Sequence, residues 1–236
     1  MTAAKPPSAP RLLLFDVDGT LLSSGPAARD AFVSALLEVF GARPAVETYA
    51  FEGKLDPVIV AELMREAGVP DDDIRNGLTR ALSLYLDRLE AALAAEKPRL
   101  KPGVERLLDA VCQAPEAVPA LLTGNVERGA RIKLSAAGLW HRFRFGVFGD
   151  EAERREELGA LALARVRAAT GRSFVGAECV VVGDSRQDVA CGKAIGARIV
   201  AVATGKTSKA DLRAAGADVV LSDFSDLAAA SEAILG

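Results

Sequence analysis

Two carboxylates one residue apart, Asp16 and Asp18, close an apolar run of Leu12, Leu13, Leu14 and Phe15 and lead into Gly19 and Thr20. On a bending loop such a pair can divide its work. One acid serves as nucleophile and metal ligand, and the other donates and accepts a proton. Acids beside a glycine also form plain turns, so the pair alone does not decide. A second acidic stretch, Gly183, Asp184, Ser185, Arg186, Gln187 and Asp188, follows another apolar run. Magnesium takes hard oxygen ligands, usually a few carboxylates with waters completing the octahedron, and Asp16 and Asp184 are the natural donors. Ser185 and Asp188 stand in capping-box spacing, so Asp188 reads equally as a helix cap or as metal support. Between the two acidic stretches come Thr123, Gly124 and Asn125. A hydroxyl and free backbone N–H groups just ahead of a helix suit a phosphate, although Asn125 also reads as a simple N-cap.

These residues need strands to carry them. Apolar runs of strand length recur at residues 12–15, 118–122, 145–148, 179–182, 199–202 and 219–221, with helix-like segments between most of them. That alternation predicts an α/β fold, a doubly wound parallel sheet of Rossmann-like type. In such sheets ligands bind at the carboxyl ends of the strands, where Asp16, Thr123 and Asp184 fall.

Between the first two strands about a hundred residues offer helices and no convincing strand, which predicts an inserted helical domain. Pro26 marks a helix start and Gly41 its end. Asp56 reads as the N-cap of a second helix, with Pro57 first and Gly68 past its end. The third begins at Asp71, Asp72 and Asp73, and its Ile74, Leu78, Leu82, Tyr85, Leu86, Leu89 and Leu93 recur as one buried stripe. The expected division is a flexible tail over residues 1–10, a core of residues 11–22 plus 98–236, and a helical cap over residues 23–97.

The chain has 236 residues, about half of them hydrophobic, which is ample for a full core. A formal net charge of −3 argues against a nucleic-acid scaffold. No apolar stretch approaches the ~20 residues of a membrane span, and residues 1–10 lack the hydrophobic centre of a signal peptide, so a cytoplasmic protein is expected. The cysteines, Cys112, Cys179 and Cys191, are too irregularly spaced for a disulfide framework or a cysteine-rich zinc site. With His141 the only histidine, a bound metal must be held by oxygen.

Taken together, the motifs resemble those of the haloacid dehalogenase superfamily, in the branch with a helical cap inserted after the first motif. The first motif is matched by Asp16, Val17, Asp18, Gly19 and Thr20, the second by Thr123, Gly124 and Asn125, and the fourth by Gly183 and Asp184 through Asp188. The third is usually a lysine about thirty residues beyond the second, and none stands there. Arg155 takes that place, with Arg154 beside it and Lys133 as a further possibility. The resemblance implies that Asp16 attacks phosphorus to form an aspartyl-phosphate. Asp18 would protonate the leaving alcohol and then activate water, with Thr123 and Arg155 holding the phosphoryl group. It also implies Mg2+ held by Asp16, the carbonyl of Asp18 and Asp184, with Asp188 in support. Gly19, Thr20, Gly124, Asn125 and Lys54 are the expected substrate contacts, Lys54 from a loop Gly53, Lys54, Leu55, Asp56 of the insert.

Position 18 discriminates among relatives. Dehalogenases of this superfamily do not carry aspartate there, and phosphonate-cleaving members typically carry alanine. The expected activity is therefore hydrolysis of a small phosphorylated metabolite, phosphoglycolate phosphatase-like. A phosphomutase, a phosphonatase-like enzyme and a noncatalytic phosphometabolite-binding module are the alternatives. Monomer and homodimer are both open.

Overall fold

The computed structural model describes residues 11–236, and the expected tail lies outside the described residues. The first apolar run forms β1 (Arg11–Phe15), in which Leu12, Leu13, Leu14 and Phe15 are wholly buried. A strand covered on both faces must be apolar at every position, which is why this run lacks alternation. Each such side chain removed from water stabilises the fold by roughly 1.5–3 kcal/mol.

After β1 the chain passes through β2 (Leu22–Ser23) into α1 (Gly25–Phe40), α2 (Asp56–Glu66) and α3 (Asp71–Ala95), then returns through β3 (Arg99–Leu100). Next come α4 (Val104–Gln113), β4 (Ala117–Leu122), α5 (Glu127–Ala136), β5 (Phe145–Val147) and α6 (Glu157–Thr170). The chain continues through β6 (Cys179–Gly183), α7 (Arg186–Ala194), β7 (Arg198–Val202), α8 (Lys209–Ala215), β8 (Val219–Leu221) and α9 (Leu227–Leu235). Six strands form one parallel sheet in the order β5-β4-β1-β6-β7-β8, the doubly wound α/β fold expected. The strand order reverses about β1, so the loops after β1, β4 and β6 open into one crevice.

Helices α1, α2 and α3 bury an apolar cluster of their own, including Phe32, Leu36, Leu63, Met64 and Leu89. Phe32 meets Tyr85 edge to face, with ring centroids 5.1 Å apart. The cluster extends to Val126 at the start of α5, and Leu86 packs where Gly129 leaves room on that helix. Arg128 adds ion pairs to Asp87 at 2.7 Å and Glu90 at 3.2 Å, but exposed pairs contribute at most about 1 kcal/mol, so apolar contact dominates the docking.

Two local expectations change. The short pairing of β2 with β3, Leu22 opposite Leu100, leaves no periodic signal because each strand has only two residues. Asp56 does not cap α2. Leu55 occupies that position, and the Asp56 carboxylate reaches across to accept the Val126 N–H at 3.0 Å. Its own N–H donates to the Gly124 carbonyl at 2.8 Å. Among the described residues no helix is long and apolar enough to cross a membrane.

Candidate active site

The three parallel strands at the middle of the sheet deliver the acids and the hydroxyl. Asp16 follows β1 and is nearly buried, its N–H donating to the Val182 carbonyl at 2.9 Å. Asp184 follows β6, and its Oδ1 accepts the buried Thr20 hydroxyl at 3.1 Å. Gly19 makes the turn between them with φ +86°, a left-handed conformation, and any side chain there would overlap the Asp184 carboxylate. Thr123 follows β4 and is fully buried.

Arg155 lies between β5 and α6 with its guanidinium buried between two acids. Nη2 donates to Asp16 Oδ1 at 2.8 Å, to the Leu122 carbonyl at 3.3 Å and to Asp188 Oδ1. The other Asp188 oxygen accepts the Ser185 N–H at 3.0 Å and the Ser185 hydroxyl at 2.6 Å. Asp188 thus caps α7 with one oxygen and meets Arg155 with the other. Arg154 points to the surface, pairing with Glu157 at 2.9 Å, and takes no part in the site.

Asp18 is held differently. Asn125 Nδ2 donates to its Oδ2 at 2.7 Å and to Thr123 Oγ1 at 2.9 Å, so Asn125 braces the site rather than capping α5, whose N-cap is Val126. Lys133, buried on α5, also donates to Asp18 Oδ2, at 2.6 Å. The sequence signal for Lys133 was a lysine on the same helical face as the buried Ala130 and Leu134.

A cavity of about 430 Å³ joins these groups to the insert. Its floor includes Asp16, Asp18, Thr123, Gly124, Arg155 and Asp184, and its roof includes Ala28, Phe32, Phe51, Ile59 and Tyr85. Lys54 lines it too, but its ammonium is engaged by Glu62 Oε2 at 2.5 Å and the Tyr49 hydroxyl at 3.1 Å. At the rim Glu52 of the insert pairs with Lys206 of the core at 2.9 Å. Lys101 donates to the Thr204 carbonyl at 2.7 Å, and the Thr204 hydroxyl donates to the Gly19 carbonyl at 2.6 Å.

Asp16, Asp184 and Asp188 each offer a carboxylate oxygen, all within 4.8 Å of one another. Burial and the neighbouring Asp188 push the Asp16 carboxyl up to about 7, with Arg155 acting against them. Burial, Asp16 and Asp188 push Asp184 up to about 8. Hydrogen bonds engage Asp16 Oδ1 and Asp184 Oδ1 but no described group bonds their second oxygens. Hard oxygens crowded until they resist ionisation fit a divalent cation such as magnesium.

The chain matches the haloacid dehalogenase-like hydrolases over residues 13–193. It is 27% identical over 228 residues to "Probable phosphatase IndB" of Dickeya dadantii, covering 95% of this chain and 94% of that protein. It is 30% identical over 202 residues to the phosphoglycolate phosphatase of Pseudomonas savastanoi pv. phaseolicola, covering 83% of this chain and 70% of that protein. Among solved structures, CbbY from Rhodobacter sphaeroides in complex with phosphate shares the fold, with a TM-score of 0.70 at 22% identity over 92% of this chain and 96% of that one. The chain belongs to the haloacid dehalogenase-like hydrolase family. Its curated relatives put it among the phosphoric monoester hydrolases of that family.

Proposed function

We propose that this hydrolase is a magnesium-dependent phosphatase acting on small phosphomonoesters through an aspartyl-phosphate on Asp16. The observation that carries the reading is the junction of Asp16, Arg155 and Asp184 in one cavity with Thr123 and Asp18. Asp16, the carbonyl of Asp18 and Asp184 would hold the ion, with Asp188 in support. Bound there, the ion neutralises negative charge on the phosphoryl oxygens and favours ionised Asp16.

The remaining chemistry belongs to the chain. Thr123, the amides of Gly124 and Asn125, and Arg155 receive the phosphoryl oxygens, a role for fixed donors in a water-poor site. Gly19 lines the floor beside Asp184, whereas Thr20, expected as a substrate contact, is wholly buried outside the cavity lining and braces the Asp184 carboxylate through its hydroxyl. The free oxygen of Asp16 forms a bond to phosphorus as the ester P–O bond breaks, and Asp18 gives its proton to the departing alkoxide. Asp18 then takes a proton from water, whose oxygen attacks the same phosphorus. Inorganic phosphate leaves and the Asp16 carboxylate is regenerated.

Residues 23–97 serve as a cap over the core of residues 11–22 and 98–236, shielding the reaction from bulk water. Phosphoglycolate is the reference substrate, suggested by the relatives' names, with Lys54 as a contact to its carboxylate. The cavity volume and the apolar roof of Phe32, Phe51 and Ile59 favour a second reading, in which the body of the substrate is larger than a two-carbon acid. Phosphate release from a panel of monoesters, with magnesium or with chelator, for the parent and Asp16→Asn tests the proposal. Release that needs magnesium and is lost in the variant is expected. Release that survives chelator or the substitution contradicts it.

A further inference from the structure

Lys133 is a charged side chain on the buried face of α5, where an aliphatic residue would pack without losing hydration. Its ammonium donates to Asp18 Oδ2 at 2.6 Å and to Asn125 Oδ1 at 2.5 Å. Asn125 Nδ2 donates to that same Asp18 oxygen at 2.7 Å. Two donors therefore converge on Oδ2, whereas the only described partner of Oδ1 is the Ser24 hydroxyl, at the outer limit of 3.5 Å. A carboxylate gripped at one oxygen by two fixed donors is restrained in rotation and presents the other oxygen in a set direction.

We propose that Lys133 is the positioning residue for Asp18, clamping Oδ2 so that Oδ1 is the atom that transfers the proton. Lys133 thus does not duplicate Arg155, which grips the nucleophile and Asp188. The two cations divide the first motif between them, Arg155 on Asp16 and Lys133 on Asp18. The inference rests on the proposed role of Asp18 as proton donor to the leaving group.

Leaving groups separate this role from a structural one. A poor leaving group, such as an alkyl alkoxide, needs the proton in the transition state, whereas p-nitrophenolate departs readily without it. Lys133→Met and Lys133→Gln, with magnesium present, are to be compared with the parent and Asp18→Asn across substituted phenyl phosphates and alkyl phosphates, including phosphoglycolate. The Lys133→Met loss in kcat/KM, which reports the step that expels the leaving group and not the later hydrolysis common to all esters, is expected to be about 10²-fold greater on alkyl phosphates than on p-nitrophenyl phosphate, steepening the dependence on leaving-group basicity. Lys133→Gln, which keeps one donor, should fall between Lys133→Met and the parent, and it carries the test if Lys133→Met fails to fold by thermal melting.

A loss in kcat/KM equal on all esters, or none, overturns the positioning role. If Asp18→Asn steepens the dependence and the Lys133 variants do not, only that role falls. If Asp18→Asn does not steepen it, or the parent releases no phosphate, the proposed role of Asp18 falls and the inference with it.

Discussion

The Asp56 carboxylate accepts the Val126 N–H at 3.0 Å, tying the first turn of α2 to the loop that carries Thr123 and Asn125. The reciprocal bond from the Asp56 N–H to the Gly124 carbonyl makes this a two-point clamp between insert and core. Burial pushes the Asp56 carboxyl up to about 6, against the opposing pull of Lys133 and the Val126 N–H. A carboxyl whose folded pKa exceeds its unfolded value weakens the fold as pH rises between the two, here from near 4 to about 6.

Asp56→Asn keeps an acceptor for Val126 and removes that titration. Its stability relative to the parent should improve by about 2 kcal/mol between pH 4 and pH 7. Denaturant melts of both proteins at the two pH values check it, and a pH-independent difference contradicts it.

Arg155→Met leaves Asp16 and Asp188 as buried acids without their shared cation, expected to cost about 3–5 kcal/mol of stability at neutral pH. The kcat should fall by about 10²–10³ as a donor to the phosphoryl oxygens is lost. Arg155→Lys restores the charge without the planar fork, so it should recover stability more fully than turnover. Equal recovery of both would count against a geometric role for the guanidinium.

Asp16 and Asp184, raised to about 7 and about 8, hold protons near neutral pH that a divalent ion must displace. Magnesium should bind with proton release and more tightly at pH 9 than at pH 6. Calorimetric titration in two buffers of different ionisation enthalpy counts the protons. Affinity that is flat across this range would show that the ion sits elsewhere.

Gly124 faces the carbonyl oxygen of Lys54, and a Cβ there would overlap it. Gly124→Ala must move the insert loop or the loop of residues 123–125, with an expected loss of about 1–3 kcal/mol, the usual range for overpacking. Turnover should suffer beyond what stability explains, and kinetics below the melting range will separate the two.

The sheet was legible because β1 and β6 are buried on both faces and advertise this with unbroken apolar runs, each followed by an acid that lines the cavity. The four-motif spacing likewise pointed to Asp16, Thr123, Arg155 and Asp184, which one cavity brings together. What stayed hidden depends on partners far away in the chain. Asp56 has the local signature of an N-cap, yet its partner is seventy positions later. Lys54 reads from its loop as a contact for an anionic substrate group, but Tyr49 and Glu62 engage its ammonium through folding of the insert. Lys133 stands in the sequence only as a further candidate for the third-motif cation, and nothing local shows that it meets Asp18, 115 positions away.

The paired β2 and β3 have a consequence for how such enzymes diversify. Because Ser23 lies opposite Arg99 in a two-stranded ribbon separate from the main sheet, the two ends of the insert lie side by side, like a drawer on a single rail. A gene segment bounded near those codons could be exchanged for a foreign one without rethreading any sheet strand. The exchanged segment would still need a counterpart to Asp56 for Val126 and a surface matching α5. Under the proposed function, such an exchange would change the side chains of the cavity roof and leave the acids of the core in place.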